Sequence, residues 1–194
     1  MVIGLMGGVG SGKSTVLDYL ESNYNAYIIQ SDHVAKEIMT PGYKVFEKLS
    51  ECFPYAVDEH GVITEKLSQI VFNDKEKLKL LNSITHPGTI EEIIKRIKES
   101  KAGIIVVESA LLIGSGLEEY CDELWFVYCE KEKRIARLME SRGYSREKAE
   151  GIIKNQPSDD EYKEKADEFI DNTYSVEMTK EKIDILLSMQ ECSF

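Results

Sequence analysis

Val2-Ile3-Gly4-Leu5-Met6-Gly7-Gly8-Val9-Gly10-Ser11-Gly12-Lys13-Ser14-Thr15 is an apolar run that breaks into glycines and ends in Gly-Lys-Ser, ahead of an amphipathic segment from Val16 to Leu20. The order reads as strand, loop, helix. Gly7 to Ser14 fits the spacing G-x-x-x-x-G-K-[ST], in which backbone amides close around a phosphate. The following helix adds its free N–H groups and the positive end of its dipole, while a lysine reaches the β- and γ-phosphates and a serine hydroxyl holds Mg²⁺. Gly8, Val9, Gly10, Ser11, Gly12, Lys13, Ser14 and Thr15 are therefore the expected nucleotide contacts, with Ser14 as the metal ligand. The ligand implied is Mg·ATP or Mg·GTP; the bland alternative is a glycine-rich turn with an incidental lysine.

Working outward, Ala26-Tyr27-Ile28-Ile29 predicts a second strand ending at Gln30-Ser31-Asp32. Ligands of open α/β sheets sit at the carboxyl ends of strands, so Asp32 lies where chemistry is expected. It reads equally as a general base for an acceptor hydroxyl and as a cap for a helix starting near His33. From His33 to Ser100 the apolar residues recur at helical spacing, broken at Pro41-Gly42, Phe53-Pro54, Gly61 and His86-Pro87. A crossover needs only about a dozen residues, so this longer stretch predicts a helical insertion walling an acceptor pocket. Pro87 favours the first position of a helix running to about Ser100, and His86 is either an acceptor contact or a structural histidine.

Gly103 to Glu108 reads as a buried parallel strand ending in an acid that belongs near Mg²⁺ or its water shell. Glu108 also suits a cap on the next turn. Ala110-Leu111-Leu112-Ile113 follows as an apolar wall. Glu123 to Tyr128 predicts a fourth strand. Lys131 to Arg146 then concentrates Lys133, Arg134, Arg137, Arg142 and Arg146 in an acidic chain, which suggests a lid over the transferred phosphoryl group or a solvated helix face. Glu168 to Asn172 predicts a last strand, with Asn172 either reaching a base or serving as a turn residue, and Val176 to Leu187 a closing helix.

The 194 residues suffice for one domain, and the formal net charge of −11 argues against nucleic acid as a partner. Surface charge is screened beyond about 8 Å at physiological salt, so an anionic ligand is governed by local amides and cations. Cys52, Cys121, Cys129 and Cys192 have neither Cys-x-x-Cys nor zinc spacing and read as reduced thiols of a cytoplasmic protein. No apolar run nears the roughly 20 residues that span a bilayer, so no membrane association is expected.

The combined motifs resemble the dephospho-coenzyme A kinase family over nearly the whole chain. The resemblance rests on the phosphate loop, Ser31-Asp32-His33-Val34-Ala35, Leu81-Asn82-Ser83-Ile84-Thr85-His86-Pro87, Glu108-Ser109-Ala110-Leu111-Leu112, Arg137-Leu138-Met139-Glu140-Ser141-Arg142 and Ala166-Asp167-Glu168-Phe169-Ile170-Asp171-Asn172. It implies an α/β, three-layer αβα kinase with a five-stranded parallel sheet, a helical substrate-binding insertion and an arginine-rich lid. Within a single domain, residues 1–32, 101–130 and 166–194 would form the nucleotide core, 33–100 the substrate region and 131–165 the lid. It further implies ATP-dependent phosphorylation of the ribose 3′-hydroxyl of dephospho-coenzyme A. Asp32 would be the base, Lys13, Arg137 and Arg142 the phosphoryl clamp, and Asp32, His86, Glu108, Leu111 and Leu112 the acceptor contacts. The chain departs from the family pattern at Gln30, where an acid is usual, at Ala110, where proline is usual, and in Gly61 to Leu67, which lacks an arginine. The rivals are a kinase for another small acceptor, such as a nucleoside or nucleotide, and a GTP switch. Only Asp58-Glu59-His60-Gly61 speaks for the switch, and no guanine motif accompanies it.

Overall fold

The computed structural model describes residues 1–110 and 112–191. The chain divides into two compact units, residues 1–28 with 101–194, and residues 29–100.

In chain order the elements are β1 Val2–Met6, α1 Lys13–Tyr24, β2 Tyr27–Gln30, α2 Ser31–Glu37, α3 Lys44–Cys52, β3 Val57–Asp58, β4 Gly61–Val62, α4 Thr64–Val71 and α5 Lys75–Glu99. They continue with β5 Ile105–Glu108, β6 Glu123–Tyr128, α6 Lys131–Arg142, α7 Arg146–Lys154, α8 Asp159–Lys165, β7 Glu168–Asp171 and α9 Val176–Glu191.

Five strands form one sheet in the order β2-β5-β1-β6-β7, with β1 parallel to both β5 and β6, and β6 parallel to β7. Central parallel strands are covered on both faces, which explains the unbroken apolar runs Ile105-Val106-Val107 and Trp125-Phe126-Val127. The main core gathers Ile3, Leu5, Val106, Trp125, Val127 and Ile170 from the strands, Val16, Leu17 and Leu20 from α1, and Ile183, Leu186 and Leu187 from α9. Trp125 is fully buried, and its indole N–H donates to Glu123 Oε2 at 2.7 Å, so a large apolar surface is sequestered without an orphan donor. The helices α1 and α9 are tied by Asp184, whose carboxylate accepts from the hydroxyls of Tyr19 (2.8 Å) and Tyr24 (2.5 Å).

After the last two residues of β2, the second unit is helical apart from one small hairpin, β3 with β4. The hairpin is where the sequence suggested a switch-type Asp-x-x-Gly. Asp58 Oδ1 accepts from the N–H groups of His60 (2.8 Å) and Gly61 (3.1 Å), so the motif is an Asx turn closing a two-stranded ribbon.

The expectation that Pro87 opens a helix is corrected, because α5 runs through it from Lys75 to Glu99 and begins instead at Asp74, whose side chain accepts from Lys77 N–H at 3.0 Å. Proline inside a helix removes one ladder bond. Packing retains the helix, with Ile93 fully buried, Thr85 and Thr89 buried, and Gly88 so close to Val45 of α3 that a Cβ there would overlap it.

Arg96 of α5 binds Glu37 Oε1 of α2 at 2.7 Å and Glu92 Oε1 at 3.0 Å, and Tyr43 donates to the same Glu37 oxygen at 2.6 Å. The Arg96 and Tyr43 hydrogen bonds hold the Glu37 carboxyl below its ordinary range. No helix among the described residues is long and apolar enough to cross a membrane.

Candidate active site

β1 ends at Met6 and α1 begins at Lys13, so the six intervening residues turn the chain from sheet to helix. Gly12 is the N-cap of α1 in the left-handed region (φ 93°, ψ 27°), makes no side-chain cap, and is followed by a first turn without an acidic residue. The first turn of α1 thus supplies no anion of its own, which is the arrangement that binds phosphate. The loop is internally closed, since Ser11 N–H donates to Gly8 C=O at 3.1 Å. Ser11 Oγ is buried with no hydrogen-bond partner among the described residues. Ser14 is exposed at the start of α1.

Lys13 Nζ donates to Gly7 C=O at 2.8 Å and lies 3.4 Å from Glu108 Oε1. The register explains the second contact, because Leu5 of β1 pairs with Glu108 of β5, which brings the acid to the loop's mouth. Glu108 is therefore an ion-pair partner of the loop lysine as well as a strand-end acid, and its oxygens with the Ser14 hydroxyl make a hard donor set that suits Mg²⁺.

The arginines of α6 divide by depth. Arg134 is 4 % exposed and donates Nε to Val9 C=O at 2.9 Å. Arg137 is half-buried, with Nη1 donating to Gly10 C=O (3.4 Å) and Ser11 C=O (3.3 Å) and Nη2 to Asn172 C=O (2.8 Å). Arg142, the last residue of the helix, is exposed and its side chain has no hydrogen bond or ion pair among the described residues.

Asn172 follows β7, where its Nδ2 donates to Ser11 C=O at 2.8 Å and its Oδ1 accepts from Thr179 at 2.9 Å. At 3 % exposure both ends of the amide are engaged inside the protein, so any part it has in nucleotide binding passes through the loop backbone.

In the second unit, Asp32 lies in the first turn of α2, exposed, and the N-cap position Gln30 receives no side-chain cap bond. Asp32 therefore does not cap the helix. His86 is exposed on α5. Leu111 lies outside the described residues. Leu112 is a packing residue rather than part of an exposed wall: it is 1 % exposed and abuts Gly4 of β1, where a Cβ would stand only 2.9 Å from its Cδ2.

Sequence reasoning missed Gln156, whose Oε1 accepts from Val9 N–H at 2.8 Å, and Asp159, 3.3 Å from Arg134 Nη1. The only local signal was the helix break at Gln156-Pro157. Burial pushes the Cys121 thiol up to about 11 and raises that of Cys129, so neither is a ready nucleophile.

A glycine-rich loop joining the central strand of a parallel sheet to a helix, with its lysine against an acid on the adjacent strand, defines a phosphate-loop fold of the small-molecule kinase type. The family model described as dephospho-CoA kinase matches residues 1–177, and the chain belongs to that family. Among curated relatives, the dephospho-CoA kinase of Carboxydothermus hydrogenoformans is 42 % identical over 160 residues, covering 80 % of this chain and 77 % of the relative. That of Fusobacterium nucleatum is 40 % identical over 164 residues, 83 % of each. Among solved structures, TT1252 from Thermus thermophilus superposes with a TM-score of 0.79 at 28 % identity, covering 97 % of both chains. A shikimate kinase from Acinetobacter baumannii shares the fold, with a TM-score of 0.55 at 15 % identity over 96 % of this chain and 93 % of that one.

Proposed function

We propose that this chain transfers the γ-phosphoryl group of ATP to the ribose 3′-hydroxyl of dephospho-coenzyme A, the final step of coenzyme A synthesis. The observation that carries the reading is the family match over residues 1–177, which takes in the phosphate loop, Asp32 and the arginines of α6.

The residues divide the work as follows. The loop amides and the start of α1 bind the β- and γ-phosphates, and Lys13 exchanges Gly7 C=O and Glu108 for phosphate oxygens as the nucleotide enters. Asp32, exposed and without a competing partner, accepts the proton of the acceptor hydroxyl as its oxygen forms the new bond to phosphorus. The bond from phosphorus to the ADP oxygen breaks, and its electrons remain with ADP. Arg142 supplies charge to the transferring group, and Arg137 supports the loop at Gly10 and Ser11. His86, exposed on α5, is the proposed acceptor contact in the second unit, and residues 131–165 act as the lid. Ser14, with Glu108 through water, would hold Mg²⁺, which neutralises phosphate charge when bound. The free thiols of Cys52, Cys121 and Cys129 support a reducing, cytoplasmic setting.

The test is turnover of ATP with a panel of acceptors, following ADP release and the mass of the product. Phosphorylation of dephospho-coenzyme A, and not of nucleosides or nucleotides, is expected. Absence of a 3′-phosphorylated product at saturating substrate would overturn the reading.

A further inference from the structure

Val9 is anchored in three ways, and each anchor comes from the segment after β6. Its N–H donates to Gln156 Oε1 at 2.8 Å, its C=O accepts from Arg134 Nε at 2.9 Å, and its side chain packs against the cluster of Ile135, Leu138 and Ala149. Arg134 completes the arrangement with its other two nitrogens, Nη2 donating to the same Gln156 oxygen at 3.2 Å and Nη1 to Asp159 Oδ1 at 3.3 Å. One planar guanidinium thus ties the loop to the turn before α8, a task that needs three donors in a fixed fork and that lysine cannot perform. The fit explains two loop glycines: a Cβ on Gly8 would overlap the Arg134 guanidinium, and one on Gly10 would stand 3.0 Å from the Arg134 carbonyl.

We infer that Arg134, acting with Gln156 and Asp159, is a positioning residue of the ATP site that holds the phosphate loop open to nucleotide by fixing the Val9 peptide groups outward. The inference rests on the reading of Gly7 to Ser14 as the ATP-binding loop. It removes Val9 N–H from the set of amides that face phosphate, since that donor is already given to Gln156. It also separates Arg134 from the arginines proposed to meet the phosphoryl group: its charge is spent inside the fold on Asp159, and its effect on phosphate passes through Val9. Displacing a loop by about an ångström costs on the order of 10²-fold in a positioned reaction, so the effect is expected to be functional before it is structural.

The full chain is tested as the variants Arg134→Lys, Arg134→Ala, Gly8→Ala and Gly8→Ala with Arg134→Ala. Dissociation constants for ADP are measured by calorimetry without acceptor, KM values for both substrates by turnover, and melting temperatures alongside. Arg134→Lys is expected to raise the ADP dissociation constant and the KM for ATP by about tenfold or more, leaving the KM for the acceptor within about twofold. Gly8→Ala is expected to weaken ADP binding in the native background and to add nothing when Arg134 is alanine, because the atoms it would overlap are gone. A fall in melting temperature with the ADP constant and both KM values unchanged, or a Gly8→Ala effect of equal size in both backgrounds, would overturn the inference. If the Arg134 variants do not fold, Gln156→Ala removes the acceptor of Val9 N–H under the same criteria. ADP affinity requires no acceptor, so a native protein that binds ADP yet phosphorylates nothing would overturn the function and leave this inference standing.

Discussion

Val9 is bonded at both its N–H and its C=O, Lys13 at Gly7 and Glu108, and Arg137 at three carbonyls, whereas Asp32 at the start of α2 is exposed and its side chain has no hydrogen bond or ion pair among the described residues. Both are short stretches following a strand of the same sheet. The loop must hold a multiply charged group at many points, and a phosphate cradle works only if its amides are already aimed. The general base proposed at Asp32 has the opposite need. Each hydrogen bond it accepted would stabilise the carboxylate and compete with the one proton it has to take, so a carboxylate without partners is the more reactive choice.

The largest effect expected from this contrast is at Asp32. Asp32→Asn should lower kcat by about 10²–10⁴-fold while ADP affinity, measured by calorimetry, stays within about twofold. An equal loss of ADP affinity would erase the distinction between the two stretches.

Lys13→Met should cost about 10²–10³-fold in turnover and, unlike Asp32→Asn, should also weaken ADP. Unaltered nucleotide binding would show that the loop amides alone suffice.

Gly88→Ala probes packing rather than chemistry. The added methyl meets Val45, so a loss of about 1–3 kcal/mol is expected in a urea titration, relieved when Val45 is also made alanine.

The smallest effect concerns Glu37, whose carboxyl is held below its ordinary 4.5 by Arg96 and Tyr43. A depressed carboxylate contributes stability above its unfolded pKa and loses it as pH falls through the folded one, so the contribution fades on acidification below about pH 4.5. Its side chain is 48 % exposed, which limits the term to less than about 1 kcal/mol. Glu37→Gln should flatten the melting-temperature profile between about pH 6 and about pH 3 and leave turnover at neutral pH nearly unchanged.

The loop was legible in the sequence because its chemistry is local. Seven consecutive residues, Gly7 to Lys13, carry the turn, the cap and the cation, and the strand Glu123–Tyr128 announced itself by an apolar run of the right length. The hairpin at Val57–Val62 was not legible, since strands of two residues are too short to show alternation. Pro87 misled because a proline inside a helix is tolerated only where packing compensates, and packing is not written next to it. Gln156 was invisible for a similar reason: its partner is 147 residues away, and a polar residue beside a proline looks like any turn. The partners of the Asn172 amide, Ser11 and Thr179, were no more legible, because the bond to Ser11 spans 161 residues.

The chain leaves the sheet after β2 and returns to it before β5, and these strands are neighbours, joined where Tyr27 N–H donates to Ile104 C=O at 2.9 Å. Everything from 31 to 100 is therefore an excursion whose two ends are pinned side by side. Closing a longer excursion between fixed ends costs only about 0.6 kcal/mol per doubling of its length. For a lineage this makes the stretch an exchangeable cassette: it can be lengthened, shortened or replaced between two fixed joints, and the proposed choice of acceptor can change without altering a residue of the loop that grips the donor.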